Sequence, residues 1–305
     1  MISNVIRAGR RKLGLRNLAI VVAMTALGCG SRSNDAPQTA GNASPPPGLT
    51  SCKPGRDPDR EEVARKDRIA KGVYYASKRI KVDGSLEQWD TPYGTWWVVA
   101  GNFDTFSDIL GEQAVRIYGD DVSGVHAGDI VLDCGAHFGG FTRTALNAGA
   151  RLVVSIEIAP ENIEVLRRNF APEIAAGRVI VYDKGVWDKD DTMVLERKNH
   201  TWADKVETSG TGPTVGVTTI DKIVAELKLP TVNFIKMDIE GAERHALAGA
   251  VATMKSYQPR MAIAAYHEPD DVQVLQPIVR GAQPAYSECL NGLGLGHGYL
   301  TFLFK

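Results

Sequence analysis

Residues 129 to 142, reading D-I-V-L-D-C-G-A-H-F-G-G-F-T, constrain this chain more than any other stretch. Ile130, Val131 and Leu132 make a short apolar run, Asp133 closes it, and Gly135, Gly139 and Gly140 follow before a segment able to form a helix. The order is strand, tight loop, helix start. In a nucleotide-binding α/β unit of this kind glycines let the backbone approach a ligand, and the first turn of the helix offers unpaired N–H groups. A plain turn is the alternative. The spacing D-x-G-x-x-x-G also departs from the G-x-G-x-x-G of dinucleotide enzymes, which disfavours an NAD-dependent reaction.

A carboxylate at the strand end selects the ligand further. It would repel a pyrophosphate and attract the ammonium group or sulfonium region of S-adenosylmethionine. Glu157 lies 24 positions after Asp133, at the end of the strand-like run R-L-V-V-S-I-E. An acid there is placed to accept both ribose hydroxyls of an adenosine ligand. Asp183 closes a third run, R-V-I-V-Y-D, and reads either as a turn residue or as a partner for an adenine amino group.

Strand-like and helical stretches alternate onward in the manner of a doubly wound sheet. Pro160 opens a helix to Phe170, Thr219 caps a helix to Lys228, and V-N-F-I-K-M-D at 232 to 238 is a fourth strand. Lys236, Asp238 and Glu240 alternate at its carboxyl end, where ligands gather in such sheets. Lys236 paired with Asp238 or Glu240 is the purely structural alternative, because an unpaired buried ion costs several kcal/mol, roughly. Asp238, Glu240 and Glu243 lack a histidine nearby in sequence, so no metal is expected. His267 ends a fifth strand at 259 to 266, a helix covers 270 to 280, and 298 to 304 forms a last, antiparallel strand with a partner near Tyr286. A β excursion at 192 to 198 and 213 to 218 brackets His200 and Trp202, which are candidates to cover a ligand.

Before the first strand, residues 59 to 81 read as an amphipathic helix, 88 to 100 as a hairpin and 105 to 118 as a helix. Trp89, Trp96 and Trp97 in the hairpin read as core or lid. The N-terminus is of a different kind. Five basic residues and no acid lie within residues 1 to 28, so the overall charge of -1 leaves the rest of the chain at -6 and argues against a nucleic-acid partner. Leu18 to Leu27 is apolar apart from Thr25 and too short to span a bilayer, the pattern of a signal-peptide core. Cys29 follows small residues, as at a bacterial lipoprotein cleavage site, although Ala26 and Leu27 stand in the reverse of the usual order. Residues 29 to 58, rich in Pro, Gly, Ser and Asn, read as a disordered tether. The expected organisation is thus a signal peptide (1 to 28), a tether from a lipidated Cys29, packed N-terminal elements (59 to 128) and a catalytic domain (129 to 305). That places the protein in the cell envelope at a membrane, or in the cytoplasm if the start site is misplaced. A Cys52–Cys289 disulfide is possible only if export is real.

Three ordered motifs, V-L-D-C-G-A-H-F-G-G-F-T (131 to 142), I-E-I-A-P-E-N-I-E-V-L-R-R-N (156 to 169) and T-T-I-D-K-I-V with I-K-M-D-I-E-G-A-E (218 to 243), resemble FkbM-type methyltransferases. The resemblance covers roughly residues 90 to 305. It implies a class I methyltransferase α/β fold, Rossmann-like and doubly wound, with a mostly parallel seven-stranded sheet and an antiparallel final strand. It implies S-adenosylmethionine as donor and O-methylation of a small-molecule or glycan hydroxyl. His137 stands where the family often has Asn, which keeps a polar group facing the ligand. Asp133, Gly135, His137, Gly139, Glu157 and Asp183 are then the expected cofactor residues. Asp238 and His267 are the candidates for the base, with Lys236 or Glu240 orienting the acceptor. An envelope-anchored binding module that keeps the fold without turnover is the competing reading.

Overall fold

The computed structural model describes residues 51–52, 58–197, 204–293 and 299–305. Cys29, His200 and Trp202, with the expected signal peptide and most of the expected tether, lie outside the described residues. In chain order the elements are α1 (Pro58–Ala76), β1 (Lys78–Asp83), β2 (Leu86–Thr91), β3 (Gly94–Val99), α2 (Phe103–Val115), β4 (Ile130–Cys134), α3 (Gly140–Asn147), β5 (Leu152–Ile156), α4 (Pro160–Asn169), α5 (Ala171–Ala175), β6 (Val179–Tyr182) and β7 (Gly185–Val186). There follow β8 (Asp191–Glu196), β9 (Lys205–Glu207), β10 (Thr214–Thr218), α6 (Ile220–Glu226), β11 (Phe234–Met237), α7 (Glu243–Ala248), α8 (Val251–Tyr257), β12 (Arg260–Ala264), α9 (Asp271–Ala282), β13 (Glu288–Leu293) and β14 (Tyr299–Phe304).

Seven of the strands form one sheet in the order β13-β14-β12-β11-β4-β5-β6. The five from β12 to β6 run parallel, and β14 pairs antiparallel with both β12 and β13. This is the expected Rossmann-like, doubly wound, mostly parallel seven-stranded sheet. A parallel strand covered on both faces is a near-continuous apolar run, and every residue of β4 is buried, Asp133 included. Its side chains divide by period two: Val131 faces a cluster with Phe106, Phe141 and Leu166, whereas Ile130 and Leu132 face one with Ile220, Leu247 and Leu275. Helices on both faces thus enclose the strands whose carboxyl ends carry the site. At α6, Thr219 Oγ1 accepts from Lys222 N at 3.0 Å, the N-cap its sequence position suggested.

One expected helix is shorter than its charge pattern suggests. α1 ends at Ala76, and K-R-I-K-V-D becomes β1, the outer strand of a β1-β2-β3 meander. Ile80 and Val82 are β-branched and alternate with Arg79 and Lys81, which suits a strand better than a helix once β2 supplies a partner. Trp96 is buried among Phe106, Phe138 and Phe170, so it is a core residue, while Trp89 stacks on Phe103 at 3.8 Å between ring centroids.

At the far edge, Cys52 and Cys289 form a disulfide with their Cα atoms 5.0 Å apart. Cys52 N also donates to Leu290 O at 2.9 Å, so residues 51–52 pair with the outer edge of β13 at one point. Cys134 is buried and free. Among the described residues no helix is long and apolar enough to cross a membrane.

Two substitutions test this architecture. Cys289→Ser should lower unfolding free energy by about 2 to 4 kcal/mol. Denaturant titration with and without reductant checks it; superimposable curves contradict the link. Gly139 has φ 96°, and a Cβ there would sit 2.1 Å from the Phe170 ring. Gly139→Ala should therefore cost about 2 to 5 kcal/mol, combining left-handed backbone strain with overpacking; an unchanged melting temperature would count against the packing described.

Candidate active site

The sheet order reverses between β4 and β11, the crevice where α/β proteins place their ligands. Asp133 and Lys236 are register partners across that boundary. Lys236, 4% exposed, donates to the carbonyls of Gly135 at 2.7 Å and Cys134 at 3.2 Å. Its Nζ lies 3.4 Å from Asp133 Oδ1. Burial would lower the pKa of this amine, but Asp133 and Asp238 outweigh it and raise it. The purely structural alternative, Lys236 paired with Asp238 or Glu240, is thus replaced by a pairing with Asp133. Its neighbour on the next strand claims it, and its donors hold the start of the glycine loop. Asp133 is fully buried, and its Oδ2 accepts from Thr142 Oγ1 at 2.7 Å.

The loop glycines serve chain packing as well as conformation. A Cβ on Gly135 (φ 80°) would meet the Asp238 carbonyl oxygen at 2.0 Å, so only glycine lets the loops after β4 and β11 touch. Between the glycines His137 takes φ 51° and turns its N–H onto Glu157 Oε2 at 2.7 Å. Burial and the nearby Lys236 charge lower the pKa of the His137 ring to about 3, so the imidazole is neutral.

Glu157 Oε1 accepts from Ile158 N at 2.7 Å and Ala159 N at 2.9 Å. Three of its roughly four lone pairs are thus occupied. One position on Oε2 remains for a ligand hydroxyl, and holding two hydroxyls would displace a backbone N–H. Burial raises its pKa against those three donors. The carboxylate still fits a ligand bearing hydroxyls at this edge. Asp183, at the end of β6, is largely exposed and pairs with Arg167 at 3.3 Å.

The ends of β11 and β12 bring together residues far apart in sequence. Asp238 Oδ2 accepts the hydroxyl of Tyr118 and Oδ1 that of Tyr266, the latter at 3.0 Å. His267 Nε2 lies 3.4 Å from Asp238 Oδ1 and 3.4 Å from Glu240 Oε1, and Nδ1 lies 2.8 Å from Glu243 Oε1. Burial would raise the Asp238 carboxyl, but Lys236, His267 and the two tyrosines bring it below its usual range. For His267 burial works downward and is overcome by Glu243 and Glu240, so its pKa is raised well above the ordinary value. Burial raises that of Glu240. Asp238 is therefore an ionised carboxylate, and His267 without an added ligand carries a proton. Tyr118 and Tyr266 had no sequence signal of their own; only Tyr266, beside His267 at a strand end, stood at a suggestive position.

A separate cleft of ≈ 500 Å³ is lined by Tyr93, Trp96, Leu110, Gly140, Arg143 and Asn169 among others. Asp133, Glu157, Asp238 and His267 do not line it, so this cavity beside the hairpin is distinct from the carboxyl-edge cluster.

A model of the FkbM methyltransferase domain matches residues 133–290, just over half of the chain. No curated protein matches. Among solved structures, the FkbM methyltransferase from Methylobacillus flagellatus KT is 19% identical with a TM-score of 0.47, covering 80% of this chain and 59% of its own. The chain thus spans under two thirds of that protein's length. Fibrillarin from Aeropyrum pernix, solved with bound S-adenosyl-L-methionine, is 11% identical with a TM-score of 0.40, covering 75% of this chain and 97% of its own. Precorrin-6y C5,15-methyltransferase from Geobacter metallireducens GS-15 is 11% identical with a TM-score of 0.40, covering 63% and 85%. At such scores the structural likenesses add nothing to the sheet order already described. The family match, spanning the glycine loop, Glu157 and the Asp238–His267 cluster, establishes that the chain belongs to the FkbM methyltransferase domain family.

Proposed function

We propose that the protein transfers a methyl group from S-adenosylmethionine to a hydroxyl of a small-molecule or glycan acceptor. What supports this reading is that Glu157, the glycine loop and Asp238 meet at the carboxyl edge of the sheet, where the strand order reverses. S-adenosylmethionine supplies, when bound, a methyl group on an electrophilic sulfonium. The protein's part is to align the acceptor oxygen and take its proton. Alignment in a closed site can lower the barrier by about 7 to 11 kcal/mol, and a positioned base adds roughly 10² to 10⁴ in rate.

Glu157 Oε2 accepts a ribose hydroxyl, with the neutral His137 ring beside it. Asp238 is the proton acceptor: it stays ionised and its orientation is fixed by two tyrosine hydroxyls. Protonated His267 positions Asp238 and Glu240, and Glu240, 23% exposed, reaches the acceptor. Lys236 and Asp133 support the loop from beneath.

The disulfide between Cys52 and Cys289 favours an oxidising compartment and hence export, with Cys29 lipidation tethering the domain at a membrane. Because S-adenosylmethionine is made in the cytoplasm, the same disulfide also favours a second reading, an envelope-anchored module that binds without turnover. Labelling cells with a fatty-acid analogue, with Cys29→Ser as control, tests the tether; equal labelling of both contradicts it.

Calorimetry on the full chain should show one S-adenosylmethionine bound, at least tenfold weaker in Glu157→Gln; no heat of binding would sink the enzyme reading. Asp238→Asn should keep that affinity while formation of S-adenosylhomocysteine over a panel of hydroxylated acceptors falls by roughly 10² to 10⁴. Full turnover in Asp238→Asn would place the base elsewhere.

A further inference from the structure

Asp238, Glu240 and His267 each offer a donor atom, and these atoms lie within 4.8 Å of one another. In sequence Asp238, Glu240 and Glu243 lack a nearby histidine, and no metal was expected. The fold supplies the histidine from the neighbouring strand and moves Glu243 behind it.

The decisive atom is His267 Nε2. It is buried on a side chain only 7% exposed, makes no hydrogen bond, and points between Asp238 Oδ1 and Glu240 Oε1, 3.4 Å from each. The other ring nitrogen fixes the tautomer. Glu243 Oε1, 2.8 Å from Nδ1, is a carboxylate oxygen and can only accept, so Nδ1 carries hydrogen. In the neutral ring Nε2 is then a lone pair aimed at the gap between two carboxylates. A carboxylate behind an imidazole is the arrangement that orients metal-ligating histidines and raises their basicity.

Spacing and charge agree. Two donors about 2.0 to 2.2 Å from one ion, seen at a tetrahedral angle, stand about 3.3 to 3.6 Å apart. The two 3.4 Å separations at Nε2 fall in that range. Two carboxylates and a neutral imidazole balance a doubly charged cation, and a mixed oxygen and nitrogen set suits Mn²⁺ or Zn²⁺ better than Ca²⁺ or Cu⁺. Asp238 and Glu240 remain 19% and 23% exposed, which leaves an ion a route from solvent.

We propose that Asp238, Glu240 and His267 bind one divalent cation of the Mn²⁺ or Zn²⁺ class, with Glu243 fixing the His267 tautomer. The site stands whether or not the chain transfers a methyl group; with the ion bound His267 is neutral and Asp238 is a ligand, so Asp238 serves as proton acceptor beside a protonated His267 only in the ion-free state. The partial exposure of Asp238 and Glu240 leaves room for water or an acceptor oxygen to complete the coordination.

The test uses the full chain, stripped with a chelator and titrated with MnCl₂ and separately with ZnCl₂ in the absence of S-adenosylmethionine. Calorimetry follows both ions, and paramagnetic resonance of free Mn²⁺ follows the first. One ion should bind per chain, at least tenfold more weakly in Glu240→Gln and in His267→Gln. Glu243→Gln should weaken it roughly 10- to 100-fold through the lost tautomer control. Asp83→Asn, whose carboxylate pairs with Arg168 on the surface, should bind as the parent does. Failure of the folded parent to bind either ion would overturn the site and leave an imidazolium held between carboxylates. Parent-like binding in Glu240→Gln would overturn it equally, and that partly exposed position keeps the test open should His267→Gln fold poorly.

Discussion

The carboxyl edge of this sheet depends on one buried cation. Lys236 stands in a strand whose four residues are all buried, beside the crossing of β4 and β11, with Asp133 as its register partner. Removing one member of such a pair costs about 3 to 5 kcal/mol, because the other charge is left in an apolar interior. The ammonium also draws in the carbonyls of Cys134 and Gly135, setting the exit angle of the loop. From that exit the loop carries the His137 N–H to Glu157, and Gly135 lets it touch the Asp238 carbonyl. Lys236 helps keep the His137 ring neutral and Asp238 ionised. A single interior charge therefore couples both sides of the crevice.

Much of the sheet was legible in sequence because buried parallel strands are continuous apolar runs, as in β4, β5 and β11. Their carboxyl ends were legible too, since charged residues there stand out against those runs. Charge alone misled at residues 78 to 81, where Lys and Arg looked like the solvent face of a helix until β2 offered a pairing partner. Partner choice was less legible than position. The expected partners of Lys236 lay two and four residues away, whereas the fold gave it Asp133, which only strand adjacency brings near. The same holds for Tyr118 and His267, which reach Asp238 from before β4 and after β12.

The covalent edge adds a constraint of another kind. A bond between Cys52 and the outermost strand fastens the start of the described chain to β13, whose outer edge it pairs with at one point. It also sets a chemical tension with the crevice, because the compartment that favours the disulfide is not the one that makes the methyl donor. A cation at the Asp238 cluster would belong to either setting.

The central claim is that the crevice between β4 and β11 is where the methyl donor sits. Amide hydrogen exchange on the full chain, with and without S-adenosylmethionine, tests it residue by residue. The account predicts added protection at residues 134 to 140, 157 to 159 and 238 to 241, with the cleft beside Trp96 unchanged. Protection confined to that cleft, or none, would contradict it.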